Sequence, residues 1–588
     1  MFQNFLISYI LFTSTLMGQQ IVSGHKYFGF QKEKHLQLQQ KHTNVQNGSP
    51  GISIVQGQEN ARYDISSNGG DERRLWVLQD GSAHAVYFGS TTEIGRRSFY
   101  TYSPDCGPPL FLPIQVESEY SQFPSMDILP DGRPVITSHK KEPLFGVHIN
   151  IMCCGGSAFK QYDAPAIPVK AVLPRIAVAS DSIVVLFASS AAGDENVWNA
   201  FNINSETFLH KQNKVAFPGI KERYRTTLAS NQKGRVAMII ANKCSPPEPY
   251  PFVFPLSGIP GENNIWLRES FDGGYTWHDP VMITDYSSEP DEVQTGISWH
   301  LSAMYVGDEL HVVWIELLAT LEGFDYPLHV EGQKIMHWAP HVNNGQPTVA
   351  VQWDSLHFGC HPLGRPSLWF PSIGTDEDGV LSIVFTSVST DTADVDTSGY
   401  PFAEISAVSS ADNGLTWGEP LNLTNSPGCD DGHPYISQWN QSGKINVLYT
   451  TDNRAGYLIW DRDYRGDVDH LFLQTDRPST EPYQPSKVQL ISRHSPKEFV
   501  LKQNYPNPFN PETTIEYQLP DDSHVCIAIY DLLGRHVRTL VDARHTIGTH
   551  FVSWNGSDMN GVLVSSGVYT CRLEAGEYVS VIKLALVR

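Results

Sequence analysis

Sustained helical patterning is missing from this chain of 588 residues; no stretch repeats its apolar positions at the 3.6-residue period of an amphipathic helix. Basic charge is scarce as well. Lys and Arg number 41 against 63 Asp and Glu, a formal net charge of -22. Nucleic acid and anionic membrane are therefore excluded as partners, because phosphate recognition needs a basic stripe and the chain has none. No P-loop, G-x-S-x-G or H-E-x-x-H motif is present. The eight cysteines (Cys106, Cys153, Cys154, Cys244, Cys360, Cys429, Cys526 and Cys571) show no C-x-x-C spacing and no clustered His, so neither a metal nor any other cofactor is expected. Adjacent Cys153-Cys154 could form a vicinal disulfide, join two separate bridges, or remain thiols. Beyond residue 17 no apolar run reaches 18 residues, which removes an integral membrane helix from the expected mature chain.

What the chain has is turn chemistry and aromatics: 46 Gly, 39 Pro, 27 Phe, 25 Tyr and 13 Trp, a composition that suits many short strands. One turn occurs twice in nearly the same words. Ser270-Phe-Asp272-Gly-Gly274-Tyr-Thr276-Trp277 and Ser410-Ala-Asp412-Asn-Gly414-Leu-Thr416-Trp417 both read S-x-D-x-G-x-T-W, and their Asp residues lie 140 positions apart. Asp and Gly can build a tight hairpin, Ser and Thr can bond local backbone, and Trp can pack into a neighbouring layer. A degenerate turn, Asn343-Asn344-Gly345, lies midway, and an imperfect copy, Ser103-Pro-Asp105-Cys-Gly107, lacks the Thr-Trp pair. A short alternating run precedes each, as expected of the strand that feeds the hairpin.

Upstream of each turn comes a second repeated element: a Pro or aromatic residue, one polar residue, an apolar strand, a turn and a second apolar strand. It is plain in Pro174 to Phe187 and returns at Pro124 to Thr137, Tyr224 to Ile240, Trp299 to Ile315, Pro366 to Phe385, Pro434 to Tyr449 and, less regularly, Ala61 to Val77. Seven such units imply an all-β fold, a β-propeller of six or seven four-stranded blades with seven favoured. The S-x-D-x-G-x-T-W turns resemble the Asp-box of the sialidase-like (BNR-repeat) β-propellers. That resemblance makes Ser270, Asp272, Gly274, Thr276, Trp277, Ser410, Asp412, Gly414, Thr416 and Trp417 structural rather than catalytic. A sialidase also needs three arginines for the substrate carboxylate, a Tyr nucleophile with a Glu, and an Asp acid/base. The Phe-Arg-Ile-Pro signature of that family is not found, Pro174-Arg175-Ile176-Ala177 being the nearest match. No catalytic residue is assigned.

Both ends of the chain carry transport signals. Residues 2 to 17 form an apolar run that reads as a signal peptide ending near Gly18 or Gly24, although no Lys or Arg precedes it. Residues 1-24 are thus a signal peptide, 25-59 an N-terminal extension, 60-472 the propeller and 473-497 a linker centred on the Pro-rich run Arg477 to Pro485. Residues 498-588 remain. Tyr505-Pro-Asn-Pro-Phe-Asn-Pro511, Thr514 to Pro520, Val525-x-Ile527-x-Ile529-Tyr530-Asp531-x-x-Gly534-Arg535, Trp554-Asn-Gly556-x-Asp558-x-x-Gly561 and Val568-Tyr569-x-x-Arg572-Leu573 resemble the C-terminal sorting domain of type IX secretion cargo, close to the FlgD-like immunoglobulin-type module. The resemblance implies export, passage of the outer membrane through the type IX machinery, and a small β-sandwich. Cys526 and Cys571 depart from its pattern.

Laying the units over one another at their first strand aligns the polar residue after the Pro or aromatic: Arg62, Ser125, Arg175, Arg225, His300, Ser367 and Tyr435. Equivalent positions of successive blades lie on one ring about the axis, so these seven are candidate ligand-binding residues for a carboxylate or sulfate. The alternative is that each Arg ties blades together through a carboxylate. The expected function is an exported or surface-displayed protein that binds an extracellular glycan or protein; a sialidase-type glycoside hydrolase and a structural surface component are the other readings.

Overall fold

The computed structural model describes residues 51–61, 73–483 and 499–587, less the connections 92–94, 105–112, 118–120, 141–145, 154–155, 157, 166–170, 191–195, 211–212, 215–224, 242–263, 287–292, 321–328, 354–366, 392–393, 397–400, 454, 456–465, 505–506, 511–512, 521–522, 546–547, 560 and 577. The chain falls into two compact units, residues 1–483 and 484–588. Among the described residues, no helix is long and apolar enough to cross a membrane.

The first unit contains, among the described residues, seven sheets, antiparallel except where the short strand Trp439–Asn440 adds in parallel to the sixth. Taken in chain order, their first strands are Leu75–Val77, Ser121–Ile128, Ala171–Val178, Arg225–Ser230, Val293–Val306, Leu368–Asp376 and Asp430–Ile436. Sheets one to six each run outward through successive strands of the chain, the third and sixth gaining an extra short strand. Strand Ile183–Ser190 shows why the sequence reads as near-continuous apolar runs. Val184, Leu186 and Ala188 pack toward the second sheet, while Ile183, Val185 and Phe187 pack toward the fourth. A strand covered on both faces needs no polar side.

Each sheet shares one hydrophobic cluster with the next. The first and second meet around Trp76 and Met126, the second and third around Ile149 and Ile176, and the third and fourth around Phe187 and Met238. The fourth and fifth meet around Ile239 and Trp314, the fifth and sixth around Ile315 and Phe385, and the sixth and seventh around Ile405 and Val447. Leu75 and Ala85 of the first sheet then pack on Leu448 and Phe472 of the seventh, so the cycle returns to its start. This is the packing of a β-propeller.

The seventh sheet closes in a way the sequence reading does not anticipate. Its outer strand is Gly51–Ala61, antiparallel to Gly466–Asp476 with Gly51 opposite Gln474 and Ile52 opposite Leu473. Residues 51–59 therefore belong to the sheet, not to an extension ahead of it. The start and the end of the unit are joined by main-chain hydrogen bonds, which cover the edge of Gly466–Asp476.

The repeated turns sit between the third and fourth strands of the fourth and sixth sheets, and the two are alike to within a tenth of an ångström. Ser270 Oγ donates to Asp272 Oδ1 at 2.8 Å, Gly274 N donates to Ser270 Oγ at 2.8 Å, and Thr276 N and Oγ1 donate to Asp272 at 2.9 and 2.6 Å. At the second copy the same bonds measure 2.8, 2.9, 2.9 and 2.6 Å. Burial opposes ionisation, yet the Thr and Ser hydrogen bonds win and hold both carboxyls below the usual carboxylate range. Glycine is required here twice over. Gly274 and Gly414 have φ of +91° and +87°, and a Cβ on Gly274 would lie 2.6 Å from Val185 of the preceding sheet, while one on Gly414 would enter the His337 ring. In the degenerate copy Asn343 and Asn344 take the left-handed conformation, and Trp338 Nε1 bonds the Gly345 carbonyl at 2.9 Å much as Trp417 Nε1 bonds that of Gly414 at 3.1 Å.

The Pro-rich run taken as linker begins bound to the ring. Arg477 pairs with Asp376 at 2.8 Å, its amide donates to the Gly443 carbonyl at 3.0 Å, and the Tyr483 amide reaches Trp417 O at 2.8 Å. The second unit is a two-sheet sandwich. One sheet holds Val500–Leu501, Thr513–Leu519 and Gly548–Trp554, and the other orders His536–His545, Ser523–Asp531, Gly567–Ala575 and Tyr578–Leu586. Val525, Ile527, Ile529, Cys571 and Leu573 alternate into its core beside Trp554 and Tyr569. The two departures from the sorting-domain pattern are free thiols: Cys571 fills a core position, where burial pushes its thiol up to about 12, and Cys526 lies half-buried opposite Glu574.

Candidate functional site

Around the axis the first strands share a backbone device. Four of them carry a bulge whose leading residue is left-handed and precedes a proline: Phe123, Leu173, Phe370 and His433, with φ of 51°, 52°, 50° and 51°. The residue two further on re-enters the ladder, as Ser125 opposite Thr137, Arg175 opposite Phe187, Ser372 opposite Val384 and Tyr435 opposite Leu448. The fifth sheet has the corresponding break before Leu301.

This device sets the register and corrects part of the predicted ring. Ser125, Arg175 and Tyr435 hold equivalent places. Ser367 does not, because the bulge follows it and the equivalent residue is Ser372. His300 is likewise displaced: Ser302 Oγ accepts from Ile373 N and Ser372 Oγ accepts from Ile436 N, both at 3.3 Å, which makes Ser302 the counterpart of Ser372. Arg225 opens the fourth sheet with its backbone opposite Ala241, and Arg62 lies outside the described residues. The side chains that do meet around the rim are those two residues before Ser302, Ser372 and Tyr435, and they precede a proline in the sixth and seventh sheets but Leu301 in the fifth. His300, Phe370 and His433, from three successive sheets, pack as tilted rings with centroids 4.1 and 4.2 Å apart. Phe370 and His433 are signalled in the sequence only by the X-Pro step they share with Phe123 and Leu173, whereas His300 already stands in the predicted ring.

The channel is lined by Arg73, Arg74, Thr227, Ser302, Ser372, Tyr435 and Gln438 among others, and has a volume of about 20 Å³. That is room for about one water. Arg73 crosses it. Its Nη1 meets Asp127 Oδ2 at 3.2 Å, its Nη2 donates to the Leu228 carbonyl at 2.6 Å, and the Gln438 amide oxygen, in its hydrogen-bonded orientation, accepts from Nε at 2.9 Å. Asp127 also accepts from the Val178 amide at 2.8 Å. One ion pair thereby joins sheets one, two, three, four and seven. Burial opposes both charges, lowering the Arg73 and raising the Asp127 value, and the ion pair and hydrogen bonds offset part of that cost. Arg175 serves similarly: its Nε donates to the Thr226 carbonyl of the fourth sheet at 3.1 Å. Of the three ring arginines only the Arg175 side chain is described, and this bond ties the third sheet to the fourth through a carbonyl.

A far larger space opens between the first and second sheets. The cleft measures about 740 Å³ and is walled by Leu78, Tyr100, Tyr102, Ile114 and Met152, with Asp80, Ser82, His84, Asp131, Arg133 and Cys153 completing it. Polar groups on its wall form a chain. Ser82 Oγ donates to Asp80 Oδ1 at 2.6 Å, Ser82 Oγ and His84 Nε2 are 3.4 Å apart, and His84 Nδ1 is 2.7 Å from Tyr100 Oη. Burial pushes His84 down to about 4 against the pull of Asp80, so the ring is neutral, and burial raises the Tyr100 phenol well above its usual value. Arg133 chelates Asp131 through Nε and Nη2 at 2.8 and 2.7 Å. No reading of the sequence singles out this cleft, since its walls come from turns and strands of two different units. Among the described residues, no three His, Cys, Asp or Glu side chains gather in a way that could hold a metal.

Comparison with known proteins adds one family. Residues 509–577 match the FlgD Ig-like domain. This identifies the second unit's core as an FlgD-type Ig-like module. No curated protein matches the chain. Among solved structures, the chain is similar to the polysaccharide lyase Uly1 at 12% identity, covering 74% of this chain and 95% of that one with a TM-score of 0.42. It is also similar to the NanB sialidase of Streptococcus pneumoniae (11%, 74% and 72%, 0.34). A third is PorZ, a surface component of the type IX secretion system of Porphyromonas gingivalis (11%, 88% and 70%, 0.24). Likenesses at this level carry no argument about activity.

Proposed function

We propose that the seven sheets are the blades of one closed propeller that binds an extracellular glycan or protein, and that the C-terminal module carries the exported chain across the outer membrane through the type IX machinery. The observation that carries this reading is the Ig-like module itself, which matches over 509–577 and folds as a compact unit with its own core. Its core cluster is apolar, and the carboxylates of Asp531 and Asp558 accept from the amides of their own turns. The binding role falls to the propeller. A sialidase-type hydrolase would need a cluster of arginines open to a substrate carboxylate, whereas Arg73 and Arg175 are engaged by the protein's own oxygens. The test is the purified propeller-bearing chain on a glycan array, run beside an assay of sialic acid release from sialoglycoconjugates. Binding without release is expected; release of sialic acid would replace the binding role with hydrolysis.

A further inference from the structure

The cleft between the first and second sheets has the size and chemistry of a ligand site, and it rests on the reading above that the propeller binds an extracellular ligand. We propose that this cleft binds a neutral oligosaccharide, with Tyr102 stacking on a pyranose ring and Asp80 and Arg133 holding its hydroxyls.

Size excludes the axial channel and favours the cleft. At about 740 Å³ it falls inside the range of about 300 to 1,000 Å³ typical of small-molecule sites and accommodates about two or three sugar rings. Shape and polarity then select the ligand. A pyranose presents apolar C–H faces and a rim of hydroxyls. The cleft answers with Tyr102, Leu78, Ile114 and Met152 on its walls and with carboxylates and a guanidinium beside them. Tyr102 is partly exposed, and His84 packs edge-on against it at 5.1 Å, which fixes the ring plane.

The hydrogen-bond chain fixes the donors and acceptors before a ligand arrives. Ser82 gives its proton to Asp80, so its oxygen accepts from His84 Nε2–H, and His84 Nδ1 must then accept from the Tyr100 hydroxyl. Asp80 uses only Oδ1 in this chain, where it also receives the Ser82 amide at 2.9 Å, and those bonds hold its carboxyl below the usual range. Its Oδ2 is left to accept from sugar hydroxyls. Arg133 likewise spends Nε and Nη2 on Asp131 and keeps Nη1 as a donor. Two carboxylates against one guanidinium leave the rim negative, which selects against carboxylate- and sulfate-bearing sugars.

The experiment is isothermal titration calorimetry on the full mature chain with cellotriose, xylotriose, maltotriose and chitotriose, and with 3′-sialyllactose as the anionic probe. At least one neutral trisaccharide should bind. Its affinity should fall at least tenfold in Tyr102→Ala and in Asp80→Asn and stay within twofold in Tyr102→Phe, which keeps the ring. Sialyllactose should not bind. Equal affinity in wild type, Tyr102→Ala and Asp80→Asn would place the sugar elsewhere, overturning the site while leaving the binding role intact. Preference for sialyllactose would overturn the ligand class. Binding of none of the five probes would overturn the proposal, and the glycan array would then decide separately whether the binding role survives.

Discussion

At the scale of single residues, the axis is where expectation and structure part most clearly. An arginine cluster in an acidic protein reads as an anion site, but the arginine that crosses the axis is Arg73, which lies inside the least regular unit, Ala61 to Val77, away from its aligned polar position. Its partner Asp127 is 54 positions away, a separation that no local pattern can express. With side-chain exposures of 11% and 1%, the pair is nearly dry, and removing one member strands the other. Arg73→Ala should therefore lower stability by about 3 to 5 kcal/mol in urea unfolding. Gln438→Ala, which removes an oxygen that accepts from both Nε and Nη2 of Arg73, should cost about 2 kcal/mol. A loss under about 1 kcal/mol for Arg73→Ala would mean that the axial ion pair does not tie the sheets together.

At the scale of elements, the legible parts are those whose hydrogen bonds are local. The S-x-D-x-G-x-T-W turns close within seven residues, so the sequence contains both partners of every bond, and Gly414 and Gly274 are fixed by the approach of the neighbouring sheet. The register of the first strands is less legible. A bulge adds residues without changing the hydrophobic pattern, which is why Pro366-Ser367 aligns as well by eye as Phe370-Pro371-Ser372 does in space. Strand Gly51–Ala61 is the least legible, because its partner lies more than 400 residues away and its own pattern is interrupted by two glycines and polar residues. Deleting residues 51–61 should open the seventh sheet along Gly466–Asp476, lowering the melting temperature and promoting aggregation through the freed edge. An unchanged melting temperature with a monodisperse scattering profile would show that the strand is dispensable to closure.

At the scale of the whole molecule, buried titratable groups set the pH response. Burial lowers His84 and His311 to about 4 and His139 and His337 to about 3, so the folded protein keeps them neutral while the unfolded chain takes up protons near pH 6.5. Stability must then fall as pH drops from about 6.5, by up to about 1.4 kcal/mol per group and pH unit. Glu404 works the other way. Burial and the Asp431 carboxylate raise it to about 8, so it gains stability as pH falls from 8 toward 4.5. Asp127, raised by burial beside Arg73, acts in the same sense as Glu404; the four histidines against these two carboxyls give a net loss between pH 6.5 and 4.5, and Asp272 and Asp412, held low by their turns, add to it only below about pH 4. Melting temperatures measured at pH 7, 6 and 5 should decline steadily; a flat profile would contradict the neutral burial of the histidines.

The central claim is a division of labour, in which the propeller binds and the Ig-like module transports, and cell fractionation of the full chain beside a form ending at residue 497 tests it most directly. The full chain should reach the outside of the cell. The truncated form should stop in the periplasm and, once purified, bind the same ligand with unchanged affinity. Truncated protein on the cell surface would contradict the transport role, and loss of ligand binding on truncation would contradict the division itself.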